Sequence, residues 1–311
     1  MAKPRNKFVD CLQYLGLRLF EMFIKMFSVE ANYVTAFHMG NVLFYLDHRH
    51  RRRAKEHLRR SFPEWDEKRI RKVAKASMRN MVYLGLEVLL TPDLITPTKW
   101  RQHLALTGQK ENIRQLLRQQ RGAIYLTGHF GNWEVIGYAM ATVGFPVYAV
   151  ARPLDNTYLN EHILGVRQRN GMIVLDKKGA TEQANDILDN CGAVSFIADQ
   201  DAGRKGCFVD FFGRKASTYK SIALLAMRHE VPVIVGYGRR LTESFNFEIG
   251  VQRIIHPREW ADVDKPMEWI TQEYTKALED VVRAAPEQYL WVHRRWKHRP
   301  RGEPLAKDGI A

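Results

Sequence analysis

A histidine and a carboxylate lie five residues apart at the end of a predicted strand, in the segment LTGHFGNWE (residues 126–134). Residues 123–127 predict a buried strand and a helical pattern follows, so His129 and Glu134 fall at the carboxyl end of a strand, where open α/β folds place their sites. On a continuous helix, positions five apart point about 140° away from each other. The two side chains therefore meet only if the intervening residues turn, which Gly131 permits.

If they meet, Glu134 can accept a hydrogen bond from one imidazole nitrogen of His129, which leaves the other nitrogen to take a proton from a hydroxyl. This pair is the base and the orienting group of a triad without a protein nucleophile. Two structural readings compete with it. A glutamate in a first helical turn is favoured by the helix dipole, and a histidine at a strand end is commonly just hydrogen-bonded. Spacing alone leaves these readings open.

Further polar residues are expected at the same edge of the sheet. Arg152 follows a predicted strand and precedes a proline, so its guanidinium should emerge near His129 and contact a phosphate in bidentate fashion, with a structural ion pair as the alternative. Arg167, near the end of a predicted helix, has the same two readings. Asp199 and Gln200 follow another predicted strand, and the aspartate could hold an arginine or substrate hydroxyls, or cap the loop through backbone amides.

The elements that must position these residues are short apolar, β-branched runs that alternate with helical patterns. Such runs predict an α/β fold with a mostly parallel central sheet flanked by helices. A later run over residues 245–255 alternates more and predicts an added edge strand. We expect an N-terminal helical, membrane-associating region (residues 1–110) docked on an α/β core (residues 111–311). The predicted strands are Ala123 to Thr127, Val147 to Ala151, Met172 to Leu175, Ala193 to Ala198 and Val231 to Tyr237.

The N-terminal region combines an apolar helix with a basic segment. Residues 8–27 place apolar side chains at three- and four-residue steps, which predicts an amphipathic helix that either packs on the core or lies in a bilayer surface. Residues 48–60 contain seven lysines and arginines. That segment could contact anionic headgroups or nucleic acid, or form a solvated helix face. A further helix is expected from Asp66, its N-cap, to Leu90, ending near Pro92.

The net charge and the cysteine content limit the kinds of protein that this chain can be, but they do not identify its binding partner. The formal net charge of +14 indicates anionic partners, whether lipid, nucleic acid or an acidic protein. Three cysteines without a C-x-x-C pair argue against a disulfide framework and against a thiolate metal site, and fit a reducing, cytoplasm-facing location. We expect no signal peptide. The uncharged stretch over residues 31–46 is only a marginal candidate for a membrane span.

The segment GHFGNWE (residues 128–134) resembles the H-x-x-x-x-[D/E] motif of lysophospholipid-type acyltransferases, in the HX4E form carried by the lipid A biosynthesis lauroyl/myristoyl acyltransferase family. The similarity extends in order and spacing over essentially the whole chain. The other segments that carry it are YLGLR (14–18), HRRRA (50–54), SFP (61–63), RP (152–153), ADQD (198–201), FFG (211–213) and HRRWK (293–297).

The resemblance implies transfer of an acyl chain from a thioester, on acyl carrier protein or coenzyme A, to a hydroxyl of a phosphorylated lipid A-type glycolipid precursor. It implies the cytoplasmic face of the inner membrane as the location, and no metal or redox cofactor. His129 would be the general base, assisted by Glu134. The expected substrate-binding residues are Asn132, Arg152, Arg167, Asp199, Gln200 and Arg294. We expect the remaining histidines to be surface or interfacial, namely His38, His48, His50, His293 and His298.

Two alternatives remain at this point. One is an acyltransferase that acts on another glycolipid or on a lysophospholipid. The other is a non-catalytic, basic, membrane- or RNA-binding protein on the same scaffold. The pair of His129 and Glu134 argues against the second alternative, because a binding module has no need of it. We therefore expect an anionic membrane surface as a partner, and no nucleic acid.

Overall fold

A computed structural model describes residues 6–108, 122–145, 147–151, 153–169, 171–176 and 179–302. The helices along these residues are α1 (Lys7–Lys25), α2 (Val29–Leu46), α3 (His48–Ser61), α4 (Glu67–Leu94), α5 (Trp100–His103), α6 (Trp133–Thr142), α7 (Thr157–Gln168), α8 (Ala180–Asp189), α9 (Ser221–His229) and α10 (Pro266–Ala284). The strands are β1 (Leu104–Leu106), β2 (Ala123–Thr127), β3 (Tyr148–Ala151), β4 (Ile173–Asp176), β5 (Ala193–Ile197), β6 (Cys207–Phe211), β7 (Arg214–Thr218), β8 (Val233–Arg240) and β9 (Phe247–Ile255).

Seven strands form the central sheet, in the order β1-β9-β8-β2-β5-β3-β4. The five strands from β8 to β4 are mutually parallel, which confirms the prediction of a mostly parallel sheet within an α/β fold. Strand β9 is antiparallel to β8, and β1 pairs with β9 in parallel. The prediction that residues 245–255 form the edge strand is wrong in position, because β1 lies outside β9. Strand β1 was not predicted, because three residues are too few to show the alternation of apolar and polar side chains.

The hairpin β6–β7 is separate from the central sheet and was not predicted. Its strands mix phenylalanines with lysines and arginines, so the sequence pattern there indicated a loop. The hairpin packs against α10, where the backbone N–H of Asp210 donates to the Gln272 side chain at 2.8 Å. Phe211 and Ala216 become part of a buried cluster with the C-terminal Trp291 and Trp296.

The two faces of the central sheet are packed differently. One face presents Ile124, Val194 and Val233, which are fully buried against α8, α9 and α10. The opposite face, with Tyr125 and Ile234, lies under α6 and borders a cavity. The first face is therefore fully packed against helices, whereas the second face is packed only in part and leaves an apolar space that adjoins the end of β2.

The N-terminal helices pack closely on one another. Asp66 is the N-cap of α4 as predicted, and its Oδ1 accepts from the backbone N–H of Arg69 at 2.7 Å. Helix α4 continues through Pro92 to Leu94 rather than ending before it. In the basic helix α3, Arg53 and His57 are buried. Arg53 Nη1 donates to the carbonyl of Val292 at 2.9 Å, so part of the basic segment holds the C-terminal chain rather than facing solvent.

Much of the apolar surface of α1 and α2 is not covered by the described chain. Leu19 of α1 is 67% exposed and Leu46 of α2 is 72% exposed, whereas Ile24 and Phe44 are buried. Packing on the core thus accounts for only part of the amphipathic pattern. Among the described helices, none has both the length and the apolar character that crossing a membrane requires.

Gly40 sets the distance between α2 and α4, because a Cβ at this position would lie 2.7 Å from the Cα of Arg79. We predict that Gly40→Ala pushes the helices apart and lowers the free energy of unfolding by about 1–3 kcal/mol. Gly85 of α4 is a matched control, since a Cβ there would meet nothing within 4 Å. Gly85→Ala should raise stability by up to about 1 kcal/mol through helix propensity. Denaturant melts of the two variants test this, and a Gly40→Ala protein as stable as the parent would contradict the packing argument.

Candidate active site

His129 lies in the loop between β2 and α6 and is held by a buried carboxylate from a neighbouring strand. Asp199 follows β5, the strand next to β2, and is 2% exposed. Its Oδ2 accepts from the backbone N–H of His129 at 2.8 Å, and its Oδ1 lies 2.6 Å from His129 Nδ1. One carboxylate therefore fixes both the main chain and the ring of the histidine.

This contact determines what the imidazole can do. Because Asp199 accepts from Nδ1–H, the neutral ring carries its lone pair on Nε2, where a proton can be taken up. Nε2 lies 3.3 Å from the side-chain nitrogen of Gln200. Burial by itself would raise the pKa of Asp199, but the charge and hydrogen bonds of His129 hold that pKa below its ordinary value. The Asp199 carboxylate thus stays ionised beside the ring.

Glu134 has a different partner from the one that the sequence analysis expected. It lies in the first turn of α6, and its two oxygens accept from Arg167 Nε at 2.9 Å and Nη2 at 2.6 Å. The carboxylate on His129 is Asp199, so the expected pairing of His129 with Glu134 is wrong as a geometric description. The helix directs Glu134 toward α7, which carries Arg167.

Gly131 makes the turn between His129 and α6, as the sequence suggested. Its φ is +56°, and a Cβ would lie 1.8 Å from the carbonyl oxygen of Gly238 in β8. Its backbone N–H donates to the carbonyl of Gln288 at 2.9 Å, and the next N–H, of Asn132, donates to the carbonyl of Gly238 at 3.0 Å. No side chain fits at position 131, and both flanking segments hold the loop in place.

Asn132, which was expected to bind substrate, is fully buried and its amide is engaged within the protein. Its Oδ1 accepts from the backbone N–H groups of Glu134 and Val135, both at 3.0 Å, and so caps α6. Its Nδ2 donates to Glu87 Oε2 at 2.7 Å. The structure therefore places Asn132 where it supports the loop from behind.

Glu87 and Arg240 form the buried ion pair behind this loop. Arg240 Nη2 donates to Glu87 Oε2 at 2.9 Å and Nη1 donates to Asn80 Oδ1 at 2.7 Å, while the hydroxyl of Tyr33 donates to Glu87 Oε1 at 2.6 Å. Burial would lower the pKa of Arg240, but the charge and hydrogen bonds of Glu87 raise it above its ordinary value. Arg240 therefore stays charged in the interior.

An apolar cavity of about 400 Å³ lies between α6 and the sheet. Trp133 lines it and packs edge-on against the His129 ring, with the ring centroids 4.7 Å apart. Of the described residues around this cavity, Glu134 and Arg167 alone carry charge. The cavity can thus hold an apolar chain, with Trp133 between that chain and the imidazole of His129.

A second, basic cavity of about 530 Å³ lies between α3 and the C-terminal segment. Gln200 and the exposed Arg294 line it, as does His293, whose ring centroid is 4.4 Å from that of His129. His293 was expected to be surface or interfacial, but it is partly buried and packs against the candidate base. Burial, and then the charge of His129, lower the pKa of His293 to about 4. The sequence did not reveal this contact, because His293 and His129 lie far apart along the chain.

Two further histidines named in the sequence analysis, His298 and His50, are paired with carboxylates. His298 Nδ1 lies 2.6 Å from Asp201 Oδ2, and His50 Nδ1 lies 2.6 Å from Asp47 Oδ2, so each has a specific carboxylate partner. Arg152 lies outside the described residues, and its expected phosphate contact stays a prediction.

Comparison with known proteins gives a match over residues 6–298 to the family described as bacterial lipid A biosynthesis acyltransferase. The lipid A biosynthesis lauroyltransferase of Escherichia coli K12 is 28% identical over 265 residues, which cover 82% of each chain. The lipid A biosynthesis palmitoleoyltransferase of the same strain is 29% identical over 207 residues, covering 62% of this chain and 61% of that protein. A phosphatidylinositol mannoside acyltransferase of Mycobacterium tuberculosis is 26% identical over 142 residues, 44% of this chain and 45% of that one.

We predict that Arg240→Met lowers the free energy of unfolding by about 3–5 kcal/mol, because Glu87 is left charged and unpaired in the interior. Glu87→Gln combined with Arg240→Met should recover part of this loss, since the amide keeps an acceptor for Asn132 without the charge. Denaturant unfolding measures the free energies of the parent, of Arg240→Met and of the double variant. As a control, Arg59→Met removes a partly exposed arginine paired with Glu67 and should cost about 1 kcal/mol or less. An Arg240→Met protein no less stable than that control would contradict the role of the buried pair.

Proposed function

This chain belongs to the bacterial lipid A biosynthesis acyltransferase family, and we propose that its His129 is the general base that activates the acceptor hydroxyl. Membership makes the protein an acyltransferase that acts on lipid A-type precursors. The observation that carries the proposal is the contact of Asp199 with His129 Nδ1 at 2.6 Å, which leaves Nε2 as the basic nitrogen. That ring lies beside both the apolar and the basic cavity.

The proposed reaction forms an ester and breaks a thioester. His129 Nε2 takes the proton of the acceptor hydroxyl while the hydroxyl oxygen attacks the thioester carbonyl carbon. The tetrahedral intermediate then expels the thiol sulfur as the C–S bond breaks, and the imidazolium returns its proton to that sulfur. Asp199 stabilises the imidazolium between the two steps without accepting its proton.

The apolar cavity is the proposed site of the acyl chain. It is lined by Trp133, Ile136 and Met140 from α6 and by sheet residues, so a hydrocarbon chain there is removed from water. The head of the chain would lie near Trp133, which contacts His129. We place the thioester carbonyl there, with the carrier, acyl carrier protein or coenzyme A, outside the cavity.

Glu134 is proposed to act through Arg167 rather than through His129. The bidentate pair lines the apolar cavity next to Trp133, so it holds a guanidinium where the thioester carbonyl is placed. A fixed positive charge at that point would stabilise the oxyanion of the intermediate. Arg167 thereby keeps the substrate-binding role expected of it, with Glu134 as its positioning residue.

We predict that His129→Ala lowers kcat by about 10²–10⁴-fold, since no other group takes the proton. Asp199→Asn should lower kcat by a comparable factor with little change in KM, because an amide does not stabilise the imidazolium. Glu134→Gln should be less damaging than Asp199→Asn. Transfer of a labelled acyl chain by full-length protein in detergent measures these rates.

The control for this series is Asp210→Asn, a carboxylate of the hairpin that pairs with Lys215 at the surface. It should leave kcat unchanged. Substantial turnover by His129→Ala would remove the general-base assignment. An inactive Glu134→Gln beside an active Asp199→Asn would show that Glu134, and not Asp199, supports His129 during turnover.

The surface of α1 and α2 supports a second part of the proposal, that these helices lie in an anionic membrane surface at the cytoplasmic face of the inner membrane. Leu19, Phe23 and Met26 are more than half exposed on or just after α1. Apolar burial and attraction of the basic segment in α3 to anionic headgroups would act together.

Combined replacement of Leu19, Phe23 and Met26 by Ser should weaken binding to phosphatidylglycerol-containing vesicles by at least about tenfold, because each exposed apolar side chain contributes roughly 1.5–3 kcal/mol when buried. These changes spare α2, whose Phe44 is in the core. Flotation or sedimentation with vesicles measures the binding, which raised salt should weaken further. Leu241→Ser, at an exposed apolar position elsewhere, is the control. Equal binding by the triple variant and the control would contradict the proposal.

A further inference from the structure

The basic cavity adjoins the candidate base on the side of Gln200 and His293. Its volume is about 530 Å³, and it is bounded by α3 and by the chain after Leu290. The side chain of Gln200 approaches His129 Nε2 at 3.3 Å, and His293 packs on the His129 ring. A polar group bound in this cavity is therefore separated from His129 Nε2 only by the side chains of Gln200 and His293, among the described residues.

The charges that line this cavity are mainly positive. Arg53, Arg294, Arg295 and Lys297 contribute four cations, and His50 and His293 contribute imidazoles. The carboxylate in the lining is Asp201, which is already bound by the His298 ring at 2.6 Å and by the backbone N–H of His298 at 3.2 Å. The cavity therefore has more cations than anions among its described lining residues.

Arg53 is the lining residue whose hydrogen-bonding groups are least satisfied. It is 7% exposed, and Nη1 donates to the carbonyl of Val292 at 2.9 Å, while its buried Nε has no hydrogen-bond partner among the described residues. Burial, and next the charges of Arg294 and Arg49, lower the pKa of Arg53. A buried guanidinium whose neighbours repel it and whose donor is unused is stabilised by an anion.

We propose that this cavity binds a phosphate group of a substrate, through Arg53 and Arg294, and so positions that substrate beside His129. The proposal rests on the proposed acyltransferase mechanism for its geometry. The planar guanidinium of arginine suits a phosphate in bidentate contact. Two substrates could supply the phosphate: the glycolipid acceptor, or the pantetheine arm of the acyl donor.

The test measures binding and not turnover, in full-length protein in detergent that carries His129→Ala. Four probes are titrated: a tetra-acylated disaccharide glycolipid with its phosphate monoesters, the same lipid after dephosphorylation, 4′-phosphopantetheine, and pantetheine. Arg294→Met is the principal variant, because Arg294 is exposed and its loss leaves the core intact. Arg52→Met is the matched control, as it removes an equal charge from an exposed position next to Arg53.

We expect Arg294→Met to raise the Kd of a phosphorylated probe by at least about tenfold over Arg52→Met, with its phosphate-free counterpart unaffected. Loss with the glycolipid identifies the acceptor as the source, and loss with phosphopantetheine identifies the donor. Arg53→Met should show the same selectivity if its melting temperature matches the parent; if it unfolds, Arg294→Met decides alone. Equal affinities of Arg294→Met and Arg52→Met for both phosphorylated probes would overturn the site, as would equal losses with phosphate-free probes.

The outcome is independent of the proposed base. Binding requires no proton transfer, so phosphate recognition can fail while His129 is essential for turnover, and the converse also holds. If His129→Ala retained turnover but the phosphate-selective loss were seen, the cavity would stand and the mechanism would fall. The two proposals are thus separated by the two measurements.

Discussion

The buried ion pair of Glu87 with Arg240 is the interaction on which the site depends. Removing two charges from water is costly, and the pair is tolerated because its polar atoms have several partners, which include Asn80, Tyr33 and Asn132. The pair and these partners belong to α2, α4, β8 and the start of α6. The network therefore joins the helical N-terminal region to the sheet at the point where the His129 loop leaves β2, and the loop cannot shift without breaking the hydrogen bond from Asn132 to the buried Glu87.

From this support the catalytic geometry follows. Gly131 turns the chain against β8, and His129 is thereby presented to Asp199, which arrives from β5 on the other side of β2. Because the carboxylate is buried and fully engaged, little reorganisation is needed when the imidazole becomes charged, which is the condition for effective electrostatic support of a general base. Stability and the proposed function are coupled here, because the loop that caps α6 also positions the nitrogen that we propose as the base.

The sequence predicted the positions of the strands better than it predicted which side chains contact one another. The β-branched runs located the five parallel strands within a few residues, since a strand buried on both faces must be apolar throughout. Strand β1 and the hairpin were missed because three residues, or a mixture of phenylalanine and arginine, give no period. Glu134 was preferred over Asp199 as the partner of His129 because it is near in sequence. Only the strand order, which places β5 beside β2, brings Asp199 to the ring, and periodicity does not determine strand order. His293 was missed for the same reason, as its contact is made by a distant loop.

The surroundings of His129 differ on its two sides, and this difference bears on how two unlike substrates can meet at one nitrogen. Trp133 separates the ring from an apolar cavity, whereas Gln200 and His293 separate it from a basic one. A hydrocarbon chain and an anionic headgroup would each be excluded from the opposite cavity by desolvation. His293 contributes by remaining neutral: with a pKa near 4 it adds no charge at neutral pH, so it does not oppose the protonation of its neighbour. A permanently charged arginine at that position would repel the imidazolium that the proposed mechanism requires, and a neutral ring in van der Waals contact fills the space without that penalty.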